Sequence, residues 1–233
     1  MTGTVWGIGV GPGAPDLLTL RAANRLAAAT TVCYIAAPNR PSRARAIAAP
    51  HLREGVDELP VTIPMSKDRS AAQSAYTEAA GTLAARTAAG EDVAVLCEGD
   101  PLLYASFGYL REHLNDDVPV EVVPGISSVG AASARIGRAL TRQDEDLVVL
   151  TTRSSDGAIR AALRDHAAIA ILKAGPQRQR LAGLIRESGR AADAVYLEQV
   201  GGPEETLHAG LEDLPSGRGP YFAIFLVFPE ASA

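Results

Sequence analysis

Three short segments of this chain combine glycine, proline, carboxylate and hydroxyl in patterns that could do chemistry. The first, Cys97-Glu98-Gly99-Asp100-Pro101-Leu102-Leu103-Tyr104, follows the apolar, β-prone run Val93 to Leu96 and precedes a helix-like stretch. Gly99 permits a sharp turn and a ligand's close approach, Asp100 offers a carboxylate at the strand's end, and Pro101 suits the first turn of a following helix. The second is Gly7-Ile8-Gly9-Val10-Gly11-Pro12-Gly13, and the third is Pro124-Gly125-Ile126-Ser127-Ser128. The strands ahead of them should lie parallel in one sheet, which puts all three loops at its carboxyl edge, where α/β folds bind ligands. Each also has a purely structural reading: a glycine-rich turn, an N-cap at Asp100, and caps at Ser127 and Ser128. A dinucleotide fingerprint is not matched. Counting from Gly7, Pro12 stands where the third glycine belongs, and counting from Gly9, Ala14 does, while the proline removes an N–H from any phosphate cradle.

The elements that must position these loops follow from periodicity. Short β-type runs alternate with alanine-rich helical ones, which predicts an α/β protein with substantial parallel sheet. Strands are expected near Thr4 to Gly9, Thr31 to Ala36, Glu58 to Ile63, Asp92 to Leu96 and Val120 to Val123. Helices are expected from Pro15 to Ala29, with Asp16 and Thr19 in the first turn, and from Ser70 to Ala89, ended by Gly90. After Pro124-Gly125 a helix capped by Ser127 and Ser128 should run to about Gly137, and the β/α alternation restarts near Leu147. The restart implies two lobes, residues 1–123 and 124–233. The second should contain strands near Leu147 to Thr151, Ala168 to Lys173 and Ala194 to Gln199. Glu205 to Leu214 and Tyr221 to Phe228, joined by Pro215-Ser216-Gly217-Arg218-Gly219, read as antiparallel strands closing a mixed sheet.

Composition excludes several classes. The 233 residues are 47% hydrophobic and carry a net charge of −5, enough apolar content for a sizeable core and no global attraction to nucleic acid or an anionic membrane. No apolar stretch reaches the ~20 residues that span a bilayer, so a cytoplasmic protein is expected. Cys33 and Cys97 lack CxxC or Cys/His spacing and read as small buried hydrophobes. The four histidines, His51, His113, His166 and His208, lack metal-ligand spacing, so no metal is expected.

The loop Gly7 to Thr19, the segment Glu98-Gly-Asp-Pro-Leu-Leu-Tyr104 and the segment Val122-Val-Pro-Gly-Ile-Ser-Ser128 together resemble, in order and spacing, the tetrapyrrole methyltransferases of corrin and sirohaem synthesis. Ile171-Leu-Lys-Ala-Gly175, Glu198-Gln-Val-Gly-Gly-Pro-Glu-Glu205 and Tyr221-Phe-Ala-Ile-Phe-Leu-Val227 extend the resemblance over almost the whole chain. Cys97 to Tyr104 with Ser106-Phe-Gly-Tyr-Leu110 looks most like the branch that methylates precorrin-2 at its C-20 meso carbon. Departures from the family pattern occur at Ala105, where glycine is common, and at Ala139, where proline is common. The resemblance implies two α/β lobes, the first with a mostly parallel sheet and the second with a mixed one, and S-adenosylmethionine folded in the cleft between them. Carried over, cofactor contacts fall on Val10, Pro12, Gly99, Asp100, Leu103, Ser127 and Ser128, and from the second lobe on Leu172, Ala174, Val200 and Tyr221. It implies a homodimer as well.

Such a transfer needs no protein nucleophile, because the partly reduced macrocycle is itself electron-rich, and much of the barrier lowering can come from alignment. A base could remove a proton after methylation; Tyr104, Glu98 and Asp144 are candidates, with Tyr104 first. The substrate's many carboxylates ask for arginine, which pairs with them bidentately. Arg40, Arg43 and Arg142 are the candidate clamps, within the clusters Arg40, Arg43, Arg45 and Arg135, Arg138, Arg142. Competing readings are other precorrin or uroporphyrinogen methyltransferases, a cobalt-precorrin-2 enzyme, a non-catalytic tetrapyrrole carrier, and, least supported, a nicotinamide dehydrogenase. The last lacks an acidic residue about 20 positions beyond the glycine loop, where Tyr34-Ile-Ala-Ala-Pro-Asn39 stands.

Overall fold

The computed structural model describes residues 2–36, 41–63 and 69–229, and the chain divides into two compact units, Met1–Ser127 and Ser128–Ala233. In the first unit the strands β1 (Val5–Gly9), β2 (Thr31–Ala36), β3 (Asp57–Thr62), β4 (Val93–Cys97) and β5 (Val120–Val123) form one parallel sheet in the order β3-β2-β4-β1-β5. β1 and β4 are buried along their whole length, as continuous apolar strands covered on both faces must be. The period-2 alternation of β1 sorts its side chains between two cores. Trp6 and Ile8 join Leu26, Ile47 and Leu96 on one face, while Val5 joins Tyr76, Leu83, Val95 and Phe107 on the other. A Cβ at Gly7 would stand 2.5 Å from the Phe107 ring, so the missing side chain makes room for that aromatic.

The predicted helix over Pro15 to Ala29 is divided. A 3-10 turn covers Pro15–Leu17, and helix α1 (Leu20–Ala28) starts only after Leu18 and Thr19 pass through extended backbone. Thr19 is its N-cap, with Oγ1 accepting the Ala22 N–H at 3.1 Å. The gap between β2 and β3, where the β/α alternation calls for a helix, holds the six-residue α2 (Arg43–Ala48), which is capped by Ser42 and buries Ala44, Ile47 and Ala48. Helix α3 (Arg69–Ala88) covers the other face. No helix begins directly after Pro101: helix α4 (Ser106–Arg111) starts later, behind Ala105 as N-cap.

The second unit begins with helix α5 (Ser128–Ile136) and contains β6 (Leu147–Thr151), helix α6 (Asp156–Asp165), β7 (Ala168–Leu172), helix α7 (Arg178–Glu187), β8 (Ala194–Glu198), β9 (Thr206–His208) and β10 (Ala223–Val227). Its sheet runs β6-β7-β10-β8-β9, with β6 and β7 parallel and the other pairs antiparallel. The mixed sheet agrees with expectation, but the hairpin of 205–214 with 221–228 does not form. β10 is buried at every position and needs an interior slot, which it takes between β7 and β8. β9, three residues with Thr206 and Leu207 exposed, suits an edge.

No helix among the described residues is long and apolar enough to cross a membrane.

Candidate active site

Because β4, β1 and β5 are adjacent and parallel, the three glycine-bearing loops emerge side by side at one edge of the first sheet. They approach so closely that side chains are excluded. A Cβ on Gly125 would lie 2.1 Å from the Gly99 carbonyl oxygen and 2.8 Å from Gly9 Cα. Gly99 has φ +68°, and a Cβ there would meet nothing nearer than 3.9 Å, so its outer side is open. The result is a bare backbone floor, bordered by the exposed side chains of Leu102, Leu103, Tyr104 and Ile126.

The floor is cross-tied by polar bonds. The Gly99 N–H donates to the Gly11 carbonyl at 2.8 Å and the Val10 N–H to the Cys97 carbonyl at 2.9 Å. Asp100 works twice: Oδ1 accepts the Leu102 N–H at 2.9 Å, an Asx turn, and Oδ2 accepts the Gly125 N–H at 3.1 Å, joining the second loop to the third. These bonds decide what the edge can hold. Phosphates need outward N–H groups, whereas Val10, Gly99 and Gly125 direct theirs inward and Pro12 has none. A bare glycine floor with the Asp100 carboxylate beside it suits a ligand with a positive centre and flat apolar parts rather than an anion. S-adenosylmethionine, a sulfonium with an adenine ring, has that chemistry, so the residues present fit the group.

Six expected cofactor contacts of the first unit therefore gather at this edge: Val10, Pro12, Gly99, Asp100, Leu103 and Ser127. Val10 and Pro12 are buried and can offer a ligand only backbone. Ser127 stands immediately before α5, and Ser128 is that helix's first residue. In the second unit the ends of β7 and β8 and the start of β10 bring together the neighbourhood of Leu172, Ala174, Val200 and Tyr221. The Ala174 N–H donates to the Ala223 carbonyl at 2.9 Å and the Gln199 N–H to the Phe222 carbonyl at 2.7 Å. Leu172, Ala174 and Val200 are buried, while Tyr221 is exposed, edge-on to Phe222, with Lys173 Nζ 5.4 Å from its ring centroid.

Backbone strain marks the same places. Among the described residues the non-glycine positions with positive φ are Tyr104, Gln143, Lys173 and Gln199, at 55°, 42°, 59° and 50°. Three of these follow β4, β7 and β8. Strain of this kind concentrates where ligands are held. Lys173 and Gln199 escaped the sequence reading because glycine is the usual signal for that conformation, and neither position has one.

The catalytic and clamp candidates separate sharply. Tyr104 is half exposed beside the floor, Asp144 is exposed ahead of β6, and Glu98 is engaged, its Oε1 accepting the Ala44 N–H at 3.2 Å. Arg40 lies outside the described residues. Arg43 Nη2 donates to the Pro12 carbonyl at 2.9 Å, and Arg142 is exposed, its backbone N–H donating to Glu145 at 2.7 Å. Arg45 pairs with Glu58 at 2.7 Å, Arg135 pairs with Glu205, and Arg138 donates to the Pro229 carbonyl at 2.8 Å. These arginines hold the protein's own groups.

A further network braces the second unit. Arg178, 5% exposed, donates from Nη1 to Glu198 at 2.8 Å and from Nε and Nη2 to the Gly217 and Ser216 carbonyls at 3.1 and 2.9 Å. Glu198 also accepts the Tyr196 hydroxyl at 2.9 Å, and burial pushes that phenol's pKa up. The bonds fix the chain just ahead of Tyr221.

Comparison with known proteins identifies the family. Residues 4–215 match the family model of the Tetrapyrrole (Corrin/Porphyrin) Methylases. A precorrin-2 C(20)-methyltransferase from Sinorhizobium sp is 34% identical over 233 residues, 97% of this chain and 95% of that protein. The cobalamin biosynthesis protein CobIJ from Mycobacterium bovis is also 34% identical over 97% of this chain, which spans only 46% of CobIJ. Among solved structures, uroporphyrin-III C-methyl transferase from Thermus thermophilus, complexed with S-adenyl homocysteine, superposes with a TM-score of 0.70 at 25% identity, covering 97% of this chain and 92% of that one. The chain belongs to the tetrapyrrole (corrin/porphyrin) methylase family.

Proposed function

We propose that this protein transfers a methyl group from S-adenosylmethionine to C-20 of precorrin-2, forming precorrin-3A in cobalamin biosynthesis, as a cytoplasmic homodimer. The observation that carries the reading is the end-to-end match to a precorrin-2 C(20)-methyltransferase, 97% of this chain on 95% of that relative. The floor formed by Gly9, Gly99 and Gly125 supports the cofactor. The Gly99 and Gly125 N–H groups are turned inward, which disfavours nucleotide phosphates, and the Asp100 carboxylate beside them favours a sulfonium.

When bound, S-adenosylmethionine supplies an activated methyl for in-line displacement by a carbon nucleophile. The chain's own contribution is placement. Asp100 locks the loops after β4 and β5 together, and the bare floor lets a ligand reach backbone directly, so alignment is set by main chain rather than by mobile side chains. Leu103 and Ile126 exclude water from one border of the floor. Tyr104, held beside the floor with φ 55°, is the residue assigned to proton removal after transfer. The carboxylate candidates are Arg43 and Arg142, with Arg40 outside the described residues; of the two described, Arg142 is the exposed residue, as that role needs.

The test is anaerobic incubation with S-adenosylmethionine and precorrin-2, followed by mass spectrometry. The reading expects one added methyl. Turnover only with cobalt-precorrin-2 would move the protein to the cobalt-first route, and tetrapyrrole binding without transfer would make it a carrier. Sedimentation of the purified protein tests the dimer.

A further inference from the structure

Two groups that the sequence offered to the substrate and to proton transfer, Arg43 and Glu98, converge on the first turn of α2. Arg43 opens that helix and sends Nη2 to the Pro12 carbonyl, 31 positions earlier, at 2.9 Å. Ala44 follows it and donates its N–H to Glu98 Oε1, 54 positions later, at 3.2 Å. The helix cannot drift, because Ala44, Ile47 and Ala48 are buried against Ile8, Val10 and Leu96. One turn of helix therefore grips the glycine loop after β1 through a guanidinium and the loop after β4 through a carboxylate. Pro12 has no N–H and cannot fasten itself by donating, and Gly11 before it turns with φ +77°, so the Pro12 carbonyl is aimed by its acceptor bond to Arg43.

We infer that Arg43 and Glu98 are positioning residues that hold the cofactor loops of the first unit in register through α2, rather than a substrate clamp and a proton acceptor. The inference rests on the proposed S-adenosylmethionine site. Its consequence is that Arg43 acts on cofactor affinity and leaves tetrapyrrole affinity alone.

Calorimetry with S-adenosylhomocysteine reads the cofactor side without any tetrapyrrole. Wild-type protein is measured first, since absence of binding there overturns the cofactor reading itself and is distinguishable from failure of the brace. Arg43→Ala should then weaken binding about tenfold or more, the scale of one lost charged hydrogen bond. Arg43→Lys, which keeps a cationic donor, should recover part of the loss. The tetrapyrrole KM at saturating S-adenosylmethionine should stay within twofold of wild type. Glu98→Gln, which keeps an acceptor for the Ala44 N–H, should lose less affinity than Glu98→Ala. Wild-type affinity for S-adenosylhomocysteine in Arg43→Ala overturns the brace, and a raised tetrapyrrole KM alongside it makes Arg43 a clamp. A collapse of kcat in Glu98→Gln with unchanged cofactor affinity makes Glu98 the base and also overturns it. Should Arg43→Ala fail to fold, Arg43→Lys and Arg43→Gln decide the matter by the same two affinities.

Discussion

Replacing Gly125 by alanine tests the idea that bare backbone contact, not side-chain chemistry, builds the candidate site. The new Cβ would lie 2.1 Å from the Gly99 carbonyl oxygen, and ordinary contact begins at 3.4 Å, so the loops after β4 and β5 must separate by about 1.3 Å. Neither side yields cheaply. Gly125 is tied to Asp100 at 3.1 Å and Gly99 to Gly11 at 2.8 Å, and Gly9 Cα blocks the other direction at 2.8 Å. Overpacking of this kind costs about 1–3 kcal/mol. A displacement near 1 Å in groups that align reactants costs on the order of 100-fold in rate. Gly125→Ala should therefore lose about 100-fold in kcat/KM and bind S-adenosylhomocysteine more weakly, with an unfolding midpoint lowered by a few degrees, roughly 2–4 °C per kcal/mol. Gly81→Ala is the control: a Cβ on α3 there meets nothing within 4 Å, and helix propensity should raise stability by up to about 1 kcal/mol. Thermal unfolding, calorimetry and initial rates on both variants make the comparison. Wild-type stability and cofactor affinity in Gly125→Ala would refute the reasoning, since the contact would then be too soft to define a site.

Arg178→Met should cost about 3–5 kcal/mol in urea unfolding, because it leaves the mostly buried Glu198 without its ionic partner and frees the Ser216 and Gly217 carbonyls; a loss under about 1 kcal/mol would show the pair to be dispensable. Acid should weaken the first unit through Glu58. The Arg45 guanidinium, then the Tyr34 hydroxyl, hold its carboxyl below the ordinary 4.5, so the unfolded chain binds the proton more readily. That contribution is full above the unfolded value and disappears as pH falls through the lower folded one, so urea midpoints of Glu58→Gln should fall less steeply in acid than those of wild type. Cys33, pushed up to about 12 by burial, and Cys97, also raised chiefly by burial, should resist a disulfide reagent at mildly alkaline pH until the protein is unfolded; rapid native labelling would contradict their burial.

How much of this was legible depends on how local each cause is. β4 could be read from its continuous apolar run and β1 from Val5, Trp6 and Ile8 running into a glycine-rich turn, and their parallel pairing followed from the helices between them. The bounds of α2 could not, because six residues next to Pro41 carry too little periodicity, and its stability comes from tertiary burial of Ala44 and Ile47. The hairpin expectation failed because turn chemistry at 215–219 says that the chain reverses, not which neighbour the next strand finds. The slot between β7 and β8 was decided by burial on both faces of β10. Asp100 was half legible: its bond to the Leu102 N–H is local, while its bond to the Gly125 N–H needs the fold to bring 25 positions together. Arg43, Arg45, Arg135 and Arg138 read as a cationic surface for carboxylates, yet their partners are a carbonyl, Glu58, Glu205 and the carbonyl of Pro229, each chosen by tertiary placement.

The most direct test of the account is an anaerobic reaction with S-adenosylmethionine carrying a carbon-13 methyl group and precorrin-2, read by carbon-13 NMR of the product. The account predicts a single labelled methyl attached to the C-20 meso carbon. A label at any other ring position, or none transferred while S-adenosylhomocysteine still binds, would contradict it.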